Sequence, residues 1–145
     1  MMKKFHSNDI LHFTSITLRI KNRLRALEFY TDILGFTVLA EQDQRIQLSA
    51  NQKDVLIELI EDRNAIEPGI TLGLYHYALL LSSRRELARV IRQLSKKHYP
   101  LTGASDHGVS EAIYLDDLDG NGIEIYVDRD PSQWPTRDGQ IRMVN

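Results

Sequence analysis

The stretch Gly120-Asn121-Gly122-Ile123-Glu124-Ile125-Tyr126-Val127 decides the reading of this chain. Two glycines around an asparagine mark a tight turn, and the residues after them alternate as a strand does. Ile123, Ile125 and Val127 fall on one face of that strand, Glu124 and Tyr126 on the other. An unpaired carboxylate in mid-strand is costly to bury. Glu124 therefore either faces water on an open sheet or is compensated, and a metal ion in a cleft is one form of compensation.

Working outward, the pattern before this strand occurs twice. Phe13 to Ile20 alternates Ile16, Leu18 and Ile20 with Ser15, Thr17 and Arg19, which predicts a half-buried strand. Asn22 is suited to cap a following helix. Leu24, Leu27, Tyr30, Thr31 and Leu34 recur at helical spacing, and Gly35 suits the position past its end. Phe36 to Glu41, Arg45 to Ser49 and Val55 to Ile60 then read as strands. Glu58 stands on the opposite face of its strand from Val55, Ile57 and Leu59.

After Pro68-Gly69 the order restarts. Tyr75 to Leu81 is a strand with His76, Ala78 and Leu80 on one face. Ser83 and Glu86 have the spacing of a capping box, and Leu87, Val90, Ile91 and Leu94 form the apolar stripe of the helix it opens. Pro100 forbids its continuation. Leu101 to Ala104, Glu111 to Leu115 and Ile123 to Val127 are the remaining strands. Both halves thus read strand, helix, strand, strand, strand, an internal repeat.

The polar residues repeat as well. Ser15 corresponds to His76 and Glu58 to Glu124, at offsets of 61 and 66 residues. Two such sheets related by a pseudo-twofold are expected to gather these positions on one inner face. His76, Glu58 and Glu124 supply imidazole and carboxylate without thiolate, the donor types of a divalent-cation site. The bland reading keeps His76 as an ordinary cross-strand histidine and Glu58 as a solvated carboxylate. Asp116 to Gly122 hints at a calcium loop, but its acids fall out of register with one, and a turn between strands is the expectation.

Bulk properties narrow the function. The 145 residues suffice for one core or for two small halves. A net charge of −2 gives no electrostatic case for nucleic acid or an anionic membrane. The absence of cysteine removes disulfides, thiolate sites and cysteine nucleophiles, and fits a cytoplasmic location. No apolar run approaches membrane length, and Met1 to Ile10 lacks the apolar core of a signal peptide.

With these elements in place, the chain resembles the vicinal oxygen chelate superfamily, the group of glyoxalase I, bleomycin-resistance proteins and extradiol dioxygenases. The resemblance rests on Ile16-Thr17-Leu18-Arg19-Ile20, on Ala26-Leu27-Glu28-Phe29-Tyr30-Thr31-Asp32-Ile33-Leu34-Gly35-Phe36, and on Asp119-Gly120-Asn121-Gly122-Ile123-Glu124. A narrower likeness, to bacterial catechol-2,3-dioxygenase-like proteins, is carried by Gly73 to Leu81, Gly103 to Leu115, Asp128 to Trp134 and Asp138 to Met143. Those proteins are usually much longer, so the chain is either a single-module-pair relative or the N-terminal half of a longer protein.

The resemblance implies an α+β fold in which two βαβββ modules form a cupped mixed β-sheet with helices outside. Module one is expected at about 10–61, a linker at 62–73, module two at 74–128 and a C-terminal tail at 129–145. It implies metal ligands at His76, Glu124 and Glu58, and catalytic roles for His107 and Tyr114 in orienting a catechol and moving its protons. Fe(II) or Mn(II) is the favoured metal, with Ni(II) or Zn(II) behind, and the metal is absent in the binding-only alternative. The implied ligand is a small aromatic or vicinal-oxygen compound, and the implied partner a second copy of the chain in a homodimer.

The chain departs from the family at one place. The first ligand, a histidine in the opening strand, aligns with Ser15, whose hydroxyl is a poor ligand. His12 reaches the same face only through a bulge. Two readings follow. One is a metal-dependent ring-cleavage enzyme with a degenerate site; the other is a non-catalytic binding protein of the bleomycin-resistance type.

Overall fold

The structure, a computed structural model, describes residues 13–66 and 73–144. His12 and half of the expected linker, including Pro68-Gly69, lie outside the described residues. Two compact units are present: residues 13–23 with 35–65, and residues 24–34 with 66 and 73–144. Together they give the α+β fold with paired modules.

The first unit is a four-stranded mixed sheet of β1 (Ile16–Ile20), β2 (Thr37–Gln42), β3 (Arg45–Ser49) and β4 (Ile57–Glu61), ordered β1-β4-β3-β2. β1 and β4 run parallel; the other pairs are antiparallel. Alternation works as the sequence predicts. Leu18, Ile20, Ile46, Leu48, Ile57 and Leu59 are each at most 4% exposed, while Thr17 and Arg19 on the opposite face are exposed. Each such burial contributes about 1.5–3 kcal/mol.

The helix after β1 begins at Arg23, whose amide donates to the Glu61 carboxylate at 3.1 Å. It runs as α1 (Arg23–Leu27) and widens into a π-helical turn over Glu28–Ile33, closed by the Leu34 amide on the Phe29 carbonyl at 3.0 Å. The wider turn shifts the phase of the buried face. Tyr30 is buried as expected, but Leu24, expected on the apolar stripe, is exposed, and Ala26 and Phe29 are buried in addition. Although the segment follows β1 in sequence, residues 24–34 make their contacts in the second unit. There Phe29 meets Tyr99 at 5.1 Å between ring centroids, and Gln93 donates to the Ile33 carbonyl.

The second unit repeats the first. Its sheet is β5 (His76–Leu80), β6 (Gly103–Asp106), β7 (Ser110–Asp116) and β8 (Gly122–Asp128), ordered β5-β8-β7-β6, with β5 and β8 parallel. Between β5 and β6 lies α2 (Arg84–Lys96), opened by Ser83, whose hydroxyl accepts from the Glu86 amide. Leu87 and Leu94 bury its apolar stripe. Ile123, Ile125 and Val127 are buried, as the alternation of β8 requires.

The register fixes the repeat residue by residue. Thr17 pairs with Glu58 on β1 and β4, as Ala78 pairs with Glu124 on β5 and β8. Ser15 stands two residues before Thr17 and His76 two before Ala78, so the two occupy the same place in their units. The expected C-terminal tail has structure of its own: a 3-10 turn at Pro131–Gln133, then a hairpin of β9 (Thr136–Arg137) and β10 (Gln140–Ile141).

Candidate functional site

β8 supplies the centre of the site. Because Ile123 and Ile125 point into the core, Glu124 points to the opposite face of the sheet. Tyr114 on β7 is its direct cross-strand partner. His76 on β5 pairs in register with Gly122, two residues before Glu124 on β8. Gly122 is required there, since a Cβ would collide with the Tyr75 carbonyl oxygen and approach His76 Cβ to 3.1 Å.

These placements produce a continuous row of polar contacts. His76 Nε2 lies 3.0 Å from Glu124 Oε2. The Tyr114 hydroxyl donates to Glu124 Oε1 at 3.1 Å and also lies 3.1 Å from His107 Nε2. His107 Nδ1 in turn faces the Val144 carbonyl oxygen at 3.1 Å. The His76 and Glu124 side chains keep 30% and 17% of their accessible surface, so the pair is reachable yet partly desolvated. Burial pushes the Tyr114 hydroxyl pKa up, and the negative charge of Glu124 adds to the shift. Tyr114 is therefore a neutral hydrogen-bond donor at physiological pH.

At one end of the row is an open pocket of about 350 Å³, lined by Tyr75, His76, Gly103, Tyr114 and Gly122 among others. Gly103 lies opposite Tyr114 in register and leaves its ring uncovered. Tyr75 is exposed and its ring centroid lies 4.9 Å from that of His76. Aromatic walls beside a carboxylate, an imidazole and a phenol suit a small planar ligand bearing oxygens. A larger recess of about 470 Å³ lies in the first unit around Arg23, Asp43 and Glu61. Its charges already serve one another, Arg23 bonding the Asp43 carbonyl, Glu41 and Glu61, so it makes a poorer candidate.

Four of the five residues singled out from the sequence, His76, Glu124, Tyr114 and His107, thus stand in one row. Glu58 belongs to the first unit. Its carboxylate accepts from Arg45 at 2.7 Å and has Thr17 and Gln47 at 3.5 and 3.4 Å. Ser15 is exposed. Among the described residues, no three or more His, Asp or Glu side chains are gathered as a metal cluster. His76 and Glu124 match a divalent cation in donor type and lie side by side, but supply two ligands where a facial set needs three.

The loop that delivers β8 rests on a buried group that sequence reasoning missed. The Asp117 carboxylate accepts from the amides of Asp119 and Asn121 at 2.9 and 2.8 Å, from Asn121 Nδ2 at 2.8 Å and from the Tyr30 hydroxyl at 2.8 Å. Tyr30 also meets the Tyr77 hydroxyl at 3.1 Å. This is a turn closed on its own carboxylate and not a calcium loop. Only the Asx-turn spacing of Asp117 and Asp119 signalled it in the sequence.

Comparison with known proteins places these features among relatives. The model of the Glyoxalase/Bleomycin resistance protein/Dioxygenase superfamily matches residues 10–125. A catechol-2,3-dioxygenase of Bacillus subtilis is 41% identical over 147 aligned residues, covering 99% of this chain and 50% of that protein. The chain thus spans about half the length of this relative. The metallothiol transferase FosB of Staphylococcus haemolyticus is 26% identical over 113 residues, covering 77% of this chain and 79% of that protein. A solved glyoxalase/dioxygenase structure from Nostoc punctiforme superposes with a TM-score of 0.70 at 16% identity, covering 90% of this chain and all of that one.

Proposed function

Because the chain belongs to the glyoxalase/bleomycin resistance protein/dioxygenase superfamily, we propose that it binds a small planar compound with vicinal oxygens, of the catechol class, against the row His76, Glu124, Tyr114 and His107. The observation that carries this reading is the row itself, with successive contacts of 3.0 and 3.1 Å on one sheet face beside an aromatic-walled pocket.

In this reading His76 and Glu124 would be the chain's ligands to a divalent cation, Fe(II) or Mn(II) ahead of Ni(II) or Zn(II). Such a cation, when bound, supplies Lewis-acid polarisation of the ligand's oxygens. The chain's own groups do the rest. Tyr114 donates its hydroxyl proton to a ligand oxygen, and His107 accepts or returns a proton through Tyr114. Tyr75 and Tyr114 flank the ring. One imidazole and one carboxylate fall short of the facial set of two imidazoles and one carboxylate, so binding without efficient ring cleavage is the expected behaviour.

The working form in this reading is a homodimer, with the two βαβββ halves of each chain forming one domain; sedimentation showing only monomer at high concentration contradicts it. A second reading, one half of a longer ring-cleavage enzyme, is favoured by the 41% identity to half of a catechol-2,3-dioxygenase. The test of the main reading is calorimetric titration with a substituted catechol, with and without Mn(II). Saturable binding that Mn(II) strengthens and Tyr114→Phe weakens is expected. No binding in either condition overturns it.

A further inference from the structure

The C-terminal segment is built down onto His107. Arg129 ties Asp106 and Glu111 together through contacts of 2.6 and 2.7 Å, and its amide donates to the Val109 carbonyl. Trp134 Nε1 donates back to the Arg129 carbonyl at 2.9 Å. The chain then turns through Asp138 and Gly139, with φ of 55° and 74°, and returns along β10, where the Arg142 amide donates to the Pro135 carbonyl. At its end the Val144 amide donates to the His107 carbonyl at 3.0 Å, and the Val144 carbonyl oxygen faces His107 Nδ1 at 3.1 Å. The fit is close. Gly108 has φ of +75°, and a Cβ there would lie 2.8 Å from Pro135 Cγ and 3.3 Å from Val144 Cγ2.

Proton accounting gives this contact a consequence. A carbonyl oxygen only accepts, so the contact with Val144 requires the proton of a neutral His107 to sit on Nδ1. Ser105 Oγ, at 3.4 Å from the same nitrogen, is the weaker neighbour and accommodates either tautomer by rotating its hydroxyl. With Nδ1 protonated, Nε2 presents its lone pair to Tyr114. The Tyr114 hydroxyl then has one proton and two acceptors at equal distance, Glu124 Oε1 and His107 Nε2, both at 3.1 Å.

We propose that the Val144 carbonyl is a positioning group that fixes the His107 tautomer, so that residues 134–144 act as a strap giving Tyr114 a second acceptor when Glu124 is engaged elsewhere. The inference goes beyond the ligand-binding reading and does not depend on it, because it is read on the ligand-free chain.

The test is long-range proton–nitrogen NMR of the histidine rings in the nitrogen-labelled full chain, with His107→Gln used to assign the His107 signals. Neutral His107 is expected to show the Nδ1–H pattern. Val144→Pro removes the amide that holds the strap to the His107 carbonyl, and removal of residues 134–145 removes the strap itself. In both, the Nδ1–H pattern is expected to be lost while the shifts of Tyr30 and Tyr77 stay in place. An Nε2–H pattern in the unaltered chain overturns the proposal. So does an Nδ1–H pattern that survives loss of the strap.

Discussion

His76 and Glu124 sit side by side on parallel strands, two residues apart in register, with Nε2 3.0 Å from Oε2. The offset exists because His76 is paired with Gly122, the one residue there that leaves room for the Tyr75 carbonyl. Gly122→Ala is expected to push β5 away from β8 at this point, to cost about 1–3 kcal/mol, and to separate His76 from Glu124. Urea denaturation gives the first effect and the His76 ring shifts the second.

Glu124→Gln keeps hydrogen-bonding capacity toward His76 and Tyr114 but removes the charge. Affinity for Mn(II) is expected to fall by at least about 10–100-fold, with stability changed by less than about 1 kcal/mol. Titration followed by electron paramagnetic resonance, beside a thermal melt, separates the two effects.

Ser15→His places an imidazole where the register puts His76 in the other unit, two residues before the partner of a carboxylate. Tighter Fe(II) or Mn(II) binding is expected. The gain is limited by Arg45, which already holds Glu58 at 2.7 Å, so adding Arg45→Gln to Ser15→His is expected to raise it further. Unchanged metal affinity in both, with intact spectra, contradicts the assignment.

Tyr30, Tyr77 and Asp117 set the alkaline limit of stability. Burial pushes both hydroxyl pKa values up, and the charge of Asp117 adds to the shift. The folded chain therefore keeps protons that the unfolded chain loses near the ordinary tyrosine value of about 10. Their contribution is present in full below about pH 10 and is lost as pH rises beyond it, by up to about 1.4 kcal/mol per pH unit for each tyrosine. Tyr30→Phe is expected to cost about 1–3 kcal/mol at neutral pH, since Asp117 loses a buried donor, and to flatten the alkaline decline. Denaturation at a series of pH values checks both.

The repeat, the strand faces and the placement of His76 and Glu124 are legible in the sequence because each is a local signal, whereas His107 and Tyr114 are singled out only by the family resemblance. Alternation assigns Glu124 and His76 to the polar face of their strands, and equal element order gives the repeat. What was not legible depends on contacts remote in sequence. The Tyr30 to Asp117 bond joins residues 87 apart, and no periodicity announces it. The buried face of the first helix departs from the helical pattern at Ala26 and Phe29, next to a π-helical turn whose spacing differs from the one the pattern assumes. The C-terminal hairpin did carry a signal, Asp138-Gly139, but its strands are two residues each and hold no alternating pattern around it. The Val144 contact involves a backbone oxygen, which no side-chain motif encodes.

The most direct test of the account is to load the chain with Fe(II) without oxygen, add catechol, admit oxygen and follow the yellow ring-cleavage product. Catechol is expected to bind, shifting the Tyr114 and His76 signals, while product forms weakly or not at all. Product formed at a rate typical of enzymes would contradict this, and would mean that the cation has a further ligand beside His76 and Glu124.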